Sequence, residues 1–399
     1  MGKELFNEII DRRGTYCTQW DYIEDRFGVN DLLPFTISDM DFKIPNKISE
    51  ALKRRNTHPI YGYTRWNHND FKVPIVNWYK RQFQTKIETN WIVYSPSVMY
   101  TISKLIELKS NPSDQVIIQT PAYDAFFKTI KSNKREVVEN KLHYIDGKYV
   151  INFEDLEKKL AHQKAKILLL CSPHNPTGRV WTKSELVKII DLCSQYDVFL
   201  ISDEIHMDIV REGHHHAPIV GIAEKLTNIA ICTSTSKTFN TSGLIGSYAL
   251  IPDIDLQNDF LDILKNRDGL SSASIMGIES VMAGYNDCQE WVDELNVYIS
   301  ENMNFTFDYL KQNIPEIRFT IPESTFLAWL DISELPFNME EIQQALVNIG
   351  AVAIMDGSIY GGQDFLRMNL GCSREKVTDG LERLKKVIEY LRMESENTE

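Results

Sequence analysis

Short apolar runs separated by helical stretches are the feature that most limits how this chain can fold. Five runs of four or five residues, mainly valine, isoleucine and leucine, lie at Val116–Gln119, Ile167–Cys171, Val198–Ser202, Ile229–Thr233 and Tyr248–Ile251. Runs this short and this apolar are typical of strands buried on both faces of a parallel sheet. Between two of them, Ser184–Tyr196 has the apolar spacing of a helix that Thr182 or Ser184 could cap. The pattern predicts an α/β fold with a mostly parallel central sheet flanked by helices.

The pattern changes after about Tyr285, where a long helical stretch begins. It is followed by strand-like runs at Ile317–Ile321 and Phe326–Leu330, a helix near Met339–Asn348, strands near Ala351–Ile354 and Phe365–Leu370, and a helix from about Arg374 to Arg392. This mixture predicts a smaller α+β domain at the C-terminus, over residues 285–399. Residues 46–284 then form the large domain, and residues 1–45 an N-terminal arm that packs on the small one.

Charge and cysteine content exclude several classes of partner. The 399 residues include 43 Lys and Arg against 56 Asp and Glu, a formal charge of −13. An acidic surface repels nucleic acid and anionic membranes, so neither is expected as a partner. The six cysteines are scattered without a C-x-x-C pair, which favours a reducing compartment, and no stretch resembles a signal peptide or membrane span. We therefore expect a cytoplasmic protein.

A lysine among hydroxyl residues follows one of the apolar runs, in Ser234-Thr235-Ser236-Lys237-Thr238-Phe239-Asn240. A lysine that forms a Schiff base must lose its proton, which requires a partly desolvated pocket. Hydroxyls and backbone N–H groups beside it, Ser234 among them, can hold a phosphate. An ordinary lysine in a loop after a strand explains this segment equally well.

Two other strand ends carry polar residues that fit the same kind of site. Asp203 follows a buried run, and a carboxylate at the carboxyl edge of a parallel sheet can keep a pyridine nitrogen protonated. The alternative for Asp203 is a helix N-cap. Asn175 lies between two prolines after another run, where its amide is fixed in direction and suits hydrogen bonding to a phenolate oxygen. The alternative for Asn175 is a residue that only forms a turn.

Together these segments resemble the fold-type-I enzymes that use pyridoxal 5'-phosphate (PLP), and within them the MalY/PatB class of cystathionine β-lyases, also called cysteine C–S lyases. The resemblance covers nearly the whole chain. It runs through LPFTISDMDF at 33–42, YGYTRW at 61–66, TPAYDAF at 120–126, LLLCSPHNPTGRVWT at 168–182, ISDEIHMDIV at 201–210, SKTFNTSGL at 236–244, TFLAWLD at 325–331 and FLRMNLGCSR at 365–374. It implies the aspartate aminotransferase-like fold and a homodimer with shared active sites.

The resemblance assigns roles around the cofactor ring. Lys237 is expected to carry PLP as a Schiff base and to move the Cα proton. Asp203 is the expected partner of the pyridine nitrogen, and Asn175 the donor to the ring O3' oxygen. Tyr123 is expected to stack on the ring. His206 stands where many aminotransferases have a tyrosine near O3', and it fits a cofactor contact and a core histidine equally well.

Other roles concern the phosphate and the substrate. Ser234 and the residues Val98 and Met99 are expected at the phosphate, together with Tyr63 from a neighbouring subunit. Arg367 is expected to bind the substrate α-carboxylate in two parallel bonds, with Ile37 and Tyr63 also near the substrate.

Two positions depart from the patterns expected at the phosphate. Ile245 stands where many aminotransferases have a phosphate-binding arginine, so the charge must be met elsewhere or by uncharged donors. Ser97 replaces the usual glycine of the lyase class. Its Cβ either shifts the phosphate or its hydroxyl adds a contact.

The resemblance implies α,β-elimination from cystathionine or another S-substituted L-cysteine, giving a thiol, pyruvate and ammonia. An aminotransferase uses the same residues and is the alternative, and a protein of this fold without activity is a third possibility. His214, His215 and His216 are adjacent and lack a cysteine or carboxylate at ligand spacing, so no metal site is expected. Glu204 points away from Asp203 if the strand persists, and we expect it to be structural.

Overall fold

The computed structural model describes residues 2–396, and side chains from Leu5 onward. Its strands are β1 (Leu33–Phe35), β2 (Ile92–Ser95), β3 (Gln115–Thr120), β4 (Glu136–Lys141), β5 (His143–Ile145), β6 (Lys148–Val150), β7 (Ala165–Cys171), β8 (Phe199–Asp203), β9 (Ile229–Ser234), β10 (Ser247–Leu250), β11 (Leu327–Asp331), β12 (Val352–Asp356) and β13 (Phe365–Asn369).

The α-helices of the described residues are α1 (Gly2–Asn7), α2 (Glu24–Phe27), α3 (Asn46–Asn56), α4 (Asn69–Phe83), α5 (Val98–Lys109), α6 (Asp124–Ser132), α7 (Phe153–Leu160), α8 (Lys183–Gln195), α9 (Thr235–Thr238), α10 (Ile254–Asp262), α11 (Ile275–Asp287), α12 (Gln289–Asn313), α13 (Met339–Ala345) and α14 (Arg374–Glu396). Thr182 caps α8 in a reciprocal capping box with Glu185. Because Thr182 is the residue before the first helical turn, it and not Ser184 is the cap.

A seven-stranded sheet forms the centre of the molecule, in the order β2-β10-β9-β8-β7-β3-β4. Strand β10 is antiparallel to both neighbours, and the other adjacent pairs are parallel. All five apolar runs are strands of this sheet, and their side chains are almost entirely buried. The predicted α/β fold with a mostly parallel sheet is confirmed.

The N-terminal segment pairs with the C-terminal part of the chain. Strand β1 is parallel to β12 in a second sheet of order β1-β12-β13-β11. At the start of the chain, the ring of Phe6 packs 5.4 Å from the ring of Tyr298 in α12. The proposed domain boundaries at residues 45/46 and 284/285 stay a prediction.

One predicted strand is wrong. Residues 317–321 form only an isolated bridge, in which Arg318 and Asp331 exchange backbone hydrogen bonds of 2.9 Å. Pro315 and Pro322 flank this segment. Because proline has no N–H to donate to a ladder, a full strand cannot extend through these positions.

Among residues 2–396, no helix combines the length and the low polarity that crossing a bilayer would require.

Candidate active site

A cavity of about 490 Å³ opens at the carboxyl edge of the large sheet. Strands β7, β8 and β9 lie side by side, and their carboxyl ends lead directly to Asn175, Asp203 and Lys237. All three residues line the cavity, as do Tyr123, which follows β3, and Arg367 from β13 of the second sheet. Residues distant in sequence therefore meet because parallel strands end at one edge.

Lys237 is held on the four-residue helix α9 directly after β9. Ser234 caps this helix by accepting a hydrogen bond from the Ser236 N–H at 3.1 Å. The Lys237 Nζ donates to the Ser38 carbonyl oxygen at 2.5 Å. Burial lowers the pKa of Lys237 to about 8, and the nearby positive charge of Arg367 lowers it further, against the opposing effect of acidic groups. A substantial fraction of this amine is therefore neutral near physiological pH.

Asp203 ends β8 and is buried at the cavity wall. Burial raises the pKa of its carboxyl to about 7, while a hydrogen bond from the Ile205 N–H and the charge of Lys237 act in the opposite direction. The Ile205 N–H donates to Oδ1 at 3.1 Å. Few groups here stabilise the ionised form of this buried carboxyl. A ligand with a cationic hydrogen-bond donor is therefore a favourable partner for it.

Arg367 and Asn175 contact each other across the two sheets. The Arg367 Nη1 donates to Asn175 Oδ1 at 3.2 Å, and Nη2 donates to the Thr36 carbonyl oxygen at 2.9 Å. The guanidinium lies over the ring of Tyr360, 4.3 Å from its centroid. Its buried Nε has no hydrogen-bond partner among the described residues. Burial lowers the pKa of Arg367, and the site has a cation with an unused donor.

Uncharged donors gather at another side of the cavity. Helix α5 begins there at Val98 and Met99, whose N–H groups belong to the first turn and lack intrahelical acceptors. Ser234 and Ser236 line the same cavity, and the hydroxyl of Ser234 donates to the Gly246 carbonyl oxygen at 3.0 Å. A helix N-terminus with hydroxyls beside it favours an anion such as phosphate.

Ser97 has a structural role at the start of α5. Its backbone is extended (φ −158°, ψ 159°), which any residue adopts, so glycine is not required. Its hydroxyl accepts the Tyr100 N–H at 3.0 Å and caps α5. Ile245 also lines the cavity, in the left-handed region at φ 59°, and adds no charge there. Such a conformation is strained for a β-branched residue.

His206 lies in the cavity wall and is almost fully buried. Burial lowers its pKa to about 3, and the charges of Lys237 and Arg367 act in the same direction, so the imidazole is neutral. Its Nδ1 has no hydrogen-bond partner among the described residues. This environment favours a ligand contact over a role in core packing.

Glu204 and Tyr63 lie outside the cavity. Strand β8 ends at Asp203, and the buried Glu204 after it accepts from Ser202 Oγ and the Ile219 N–H at 3.0 and 3.1 Å, which fits the expected structural role. Its Oε2 is 2.9 Å from His216 Nε2, which accounts for one of the three adjacent histidines. Tyr63 is fully exposed at 101%. Its predicted contact with a neighbouring subunit stays a prediction.

Sequence reasoning missed the residues that hold the segment 36–42 over the cavity. Asn240 Oδ1 accepts the Met40 N–H at 3.0 Å, and its Nδ2 donates to the Met40 and Phe42 carbonyl oxygens at 2.8 Å. Asn369 Nδ2 donates to the carbonyl oxygens of residues 37 and 39. We call residues 36–42 the strap. Because it contributes Ile37 and Ser38 to the cavity wall, these asparagines position part of the site.

Asp208 is a second residue that the sequence did not indicate. It is buried, and its Oδ2 accepts from Thr238 Oγ1 at 2.7 Å while Oδ1 accepts from Trp78 Nε1 at 2.9 Å. Thr238 is the neighbour of Lys237 in α9. Asp208 therefore connects the loop after β8 to the helix that carries the lysine.

The cavity fits the PLP that the sequence resemblance implies. A ring nitrogen would meet Asp203, a ring face Tyr123, a phosphate the start of α5, and an aldehyde carbon Lys237. The unpartnered Nε of Arg367 leaves a donor for a ligand, and the unpartnered Nδ1 of His206 leaves a second polar atom. The donor set therefore matches the chemistry of this cofactor group by group.

Comparison with known proteins agrees with this arrangement. The model of the family "aminotransferase class I and II" matches residues 30–384. The chain is 43% identical to protein MalY of Escherichia coli K12 over 97% of its length and 99% of that protein. It is 37% identical to cystathionine beta-lyase PatB of Bacillus subtilis, over 95% and 98% of the two chains.

A solved structure shows the same fold. The crystal structure of cystalysin from Treponema denticola, which contains a pyridoxal 5'-phosphate cofactor, superposes with a TM-score of 0.92 at 32% identity. The match covers 97% of this chain and 99% of that one. The chain belongs to the class I and II aminotransferase family, in the group that contains MalY and PatB.

Proposed function

We propose that the protein is a PLP-dependent C–S β-lyase. It cleaves cystathionine or other S-substituted L-cysteines to a thiol, pyruvate and ammonia. The observation that carries this proposal is the convergence of Lys237, Asp203, Asn175 and Arg367 on one cavity. The names of its relatives, among them cystathionine beta-lyase PatB, support the same chemistry.

The residues of the cavity hold the cofactor in a defined order. Lys237 would attach it, Asp203 would keep a proton on its ring nitrogen, and Asn175 would contact its O3' oxygen. Tyr123 would restrain the ring, whose face is large and apolar. Val98, Met99 and Ser234 would hold the phosphate with uncharged donors, since Ile245 carries no charge. When bound, the cofactor supplies an electron sink for the bond electrons released at the substrate Cα.

Arg367 fixes the substrate by its α-carboxylate. A guanidinium offers two parallel donors, a geometry that a lysine ammonium cannot match. Its unpartnered Nε and the two Nη atoms, which now donate to Asn175 and Thr36, provide those donors. Fixing the carboxylate sets the direction of the Cα–H bond, and this orientation determines which bond breaks.

Lys237 then acts as the base. Once the substrate amino group has displaced Lys237 from the cofactor, the lowered pKa would leave part of the freed amine neutral, so Nζ could take the proton from the substrate Cα. Loss of the thiolate from Cβ follows, and the thiolate takes up a proton. Overall, one S-substituted cysteine and one water give one thiol, one pyruvate and one ammonia. For cystathionine the thiol is homocysteine.

We further propose a homodimer in which Tyr63 reaches the neighbouring active site. The complete exposure of this aromatic residue supports the proposal, since a large apolar ring in water is unfavourable. We also propose a cytoplasmic location, which the six buried free cysteines support. A large domain over residues 46–284, a small domain over 285–399 and the arm over 1–45 complete the proposed organisation.

A product assay tests the proposed function against amino transfer. Purified holoenzyme is mixed with L-cystathionine, and thiol and pyruvate are measured with and without a 2-oxoacid. A lyase releases thiol and pyruvate in equal amounts without any 2-oxoacid. Amino-group transfer that depends on the 2-oxoacid, with no thiol, would identify an aminotransferase instead.

A further inference from the structure

A second, larger space adjoins the active-site cavity. This groove has a volume of about 1380 Å³ and is more open than the cavity. Arg26, Asp124 and Lys128 line both spaces, so they mark the passage between them. A substrate whose α-carboxylate lies on Arg367 has room in this direction for the group on its sulfur.

The charge at this passage is unbalanced. Lys128 Nζ and Asp124 Oδ2 form an ion pair of 2.7 Å, so the carboxylate of Asp124 already has a cationic partner. No carboxylate of the described residues forms an ion pair with Arg26. Its guanidinium donates from Nη1 to the sulfur of Met355 at 3.3 Å, and thioether sulfur is a weak acceptor. Arg26 is therefore a cation at the passage without an anionic partner.

The charge of Arg26 reaches the binding site itself. Burial lowers the pKa of Arg367 and raises that of Tyr360 and of Tyr123; on each of the three groups the charge of Arg26 acts to lower the pKa, against a larger opposing effect of Asp124. All three residues line the cavity. The guanidinium is thus close enough to interact with a ligand bound there.

We infer that Arg26 binds a carboxylate at the far end of the sulfur substituent. The substrates it favours are S-substituted cysteines with an acidic distal group, such as cystathionine, over S-alkyl cysteines. An unpaired arginine fork matches a carboxylate in two parallel hydrogen bonds. This inference rests on the proposed function, because it takes the α-carboxylate to lie on Arg367.

Four substrates separate the charges of the distal group. L-Cystathionine has a distal carboxylate and ammonium, S-(2-carboxyethyl)-L-cysteine only the carboxylate, S-(2-aminoethyl)-L-cysteine only the ammonium, and S-ethyl-L-cysteine neither. Thiol release is measured for the holoenzyme and for Arg26→Gln. The matched control is Lys131→Gln, which removes one positive charge from the groove but does not line the cavity.

For Arg26→Gln we expect kcat/KM to fall about 10- to 100-fold with the two carboxylate substrates, mainly through KM. Values for S-ethyl-L-cysteine and S-(2-aminoethyl)-L-cysteine should change less than about 3-fold, and Lys131→Gln should resemble the wild type. An equal loss with all four substrates, or no loss with any, would overturn the role of Arg26.

Failure of the proposed function gives a different result. If the wild type releases no thiol from any of the four substrates, the lyase proposal fails. The same variants are then compared by how tightly they bind each compound. Binding is followed through the visible absorbance of the cofactor. Weaker binding of only the carboxylate compounds to Arg26→Gln would still support the Arg26 site, and unchanged binding would overturn it.

Discussion

At the scale of single residues, burial gives two groups of the cavity unusual proton affinities. It lowers the pKa of Lys237 to about 8 and raises that of Asp203 to about 7. Both shifts favour the neutral form of the group, because charge is costly away from water. A carbonyl carbon would react with the neutral amine of Lys237, and a cationic ring nitrogen would supply the partner that the ionised form of Asp203 lacks.

The lowered pKa of Lys237 predicts how apoenzyme captures PLP. Only the neutral amine reacts, and at pH 7 about a tenth of a group with a pKa of about 8 is neutral, against less than about a thousandth of an ordinary lysine. The initial rate of capture should therefore rise with pH and level off above about pH 8. Stopped-flow absorbance measures this rate. A rate that still rises tenfold per unit up to pH 10 would show that Lys237 has an ordinary pKa.

Asp203→Asn tests the partner of the ring nitrogen. An amide does not stabilise a protonated ring nitrogen as a carboxylate does, so the electron sink is weakened. We expect kcat to fall by about 10²- to 10⁴-fold while the cofactor stays attached to Lys237. The matched control is Asp197→Asn at an exposed position just before β8. Turnover within about 3-fold of wild type in Asp203→Asn would remove Asp203 from the mechanism.

Residues at strand ends could be predicted from the sequence, whereas residues that act through long-range contacts could not. Asp203, Asn175 and Lys237 each follow an apolar run, and parallel strands bring such positions together. Asn240 and Arg26 follow no such rule. Their roles depend on which backbone carbonyls or cavities lie beside them in three dimensions.

At the scale of elements, the buried carboxylate of Asp208 anchors the short helix α9. Asp208 accepts hydrogen bonds from Thr238 in α9 and from Trp78 in α4. Burial raises the pKa of Asp208 to about 6, and hydrogen bonds and the nearby His216 oppose the shift. Tyr79, Tyr248 and Tyr285 are the other titratable groups that face it.

This raised pKa predicts a pH-dependent stability difference between wild type and Asp208→Asn. The folded state binds this proton more tightly than the unfolded state, so the stabilisation is present below about pH 4 and is lost as pH rises through 6. From pH 4 to pH 7 the variant should gain up to about 3 kcal/mol relative to wild type. Urea unfolding of both apoproteins measures the difference. A constant difference across this range would contradict the predicted shift.

A double-mutant cycle with Thr238→Val tests whether Asp208 acts through α9. Removing both partners of a buried hydrogen bond costs less than the sum of the single changes, so we expect a coupling of about 1–3 kcal/mol. The rate of PLP capture should fall in each single variant, because α9 then holds Lys237 less firmly. Additive effects on stability would mean that Asp208 does not position the helix through Thr238.

Secondary-structure elements could be predicted from the sequence where the spacing of apolar residues determines the structure. Strands β3, β7, β8, β9 and β10 were found to within two residues at each end. Residues 317–321 were misassigned because their apolar alternation resembles a strand while two prolines prevent one. Strand β1 was not predicted, since three residues are too few for a pattern and its partner β12 lies more than three hundred residues further along.

At the scale of the whole molecule, the strap connects the first residues of the chain to both sheets. Arg12 of the arm forms ion pairs with Asp39 and Asp41 at 2.7 and 2.9 Å, and Lys376 of α14 pairs with Asp41 at 2.5 Å. The strap also contacts Lys237 and Arg367 through its carbonyl oxygens. The cavity is therefore built jointly by the strap, the large sheet and the second sheet, which no local sequence pattern could indicate.

The proposed shared active sites predict complementation between two defective variants. Lys237→Ala lacks the attachment point, and Tyr63→Ala lacks the residue offered to the neighbouring site. In a mixed dimer one of the two sites has both residues intact. Random reassociation of equal amounts should therefore restore about a quarter of wild-type lyase activity. No recovery, although mixed dimers are detected by mass, would show that Tyr63 serves no neighbouring site.

The proposed PLP-dependent function requires one covalent attachment, at the edge of the large sheet. Holoenzyme is treated with borohydride, which makes the link between cofactor and lysine permanent, and its peptides are then analysed by mass spectrometry. We expect a phosphopyridoxyl group on Lys237 and on no other lysine. The Lys237→Ala variant should have no phosphopyridoxyl group. Attachment to a different lysine, or release of the cofactor unreduced, would contradict this expectation.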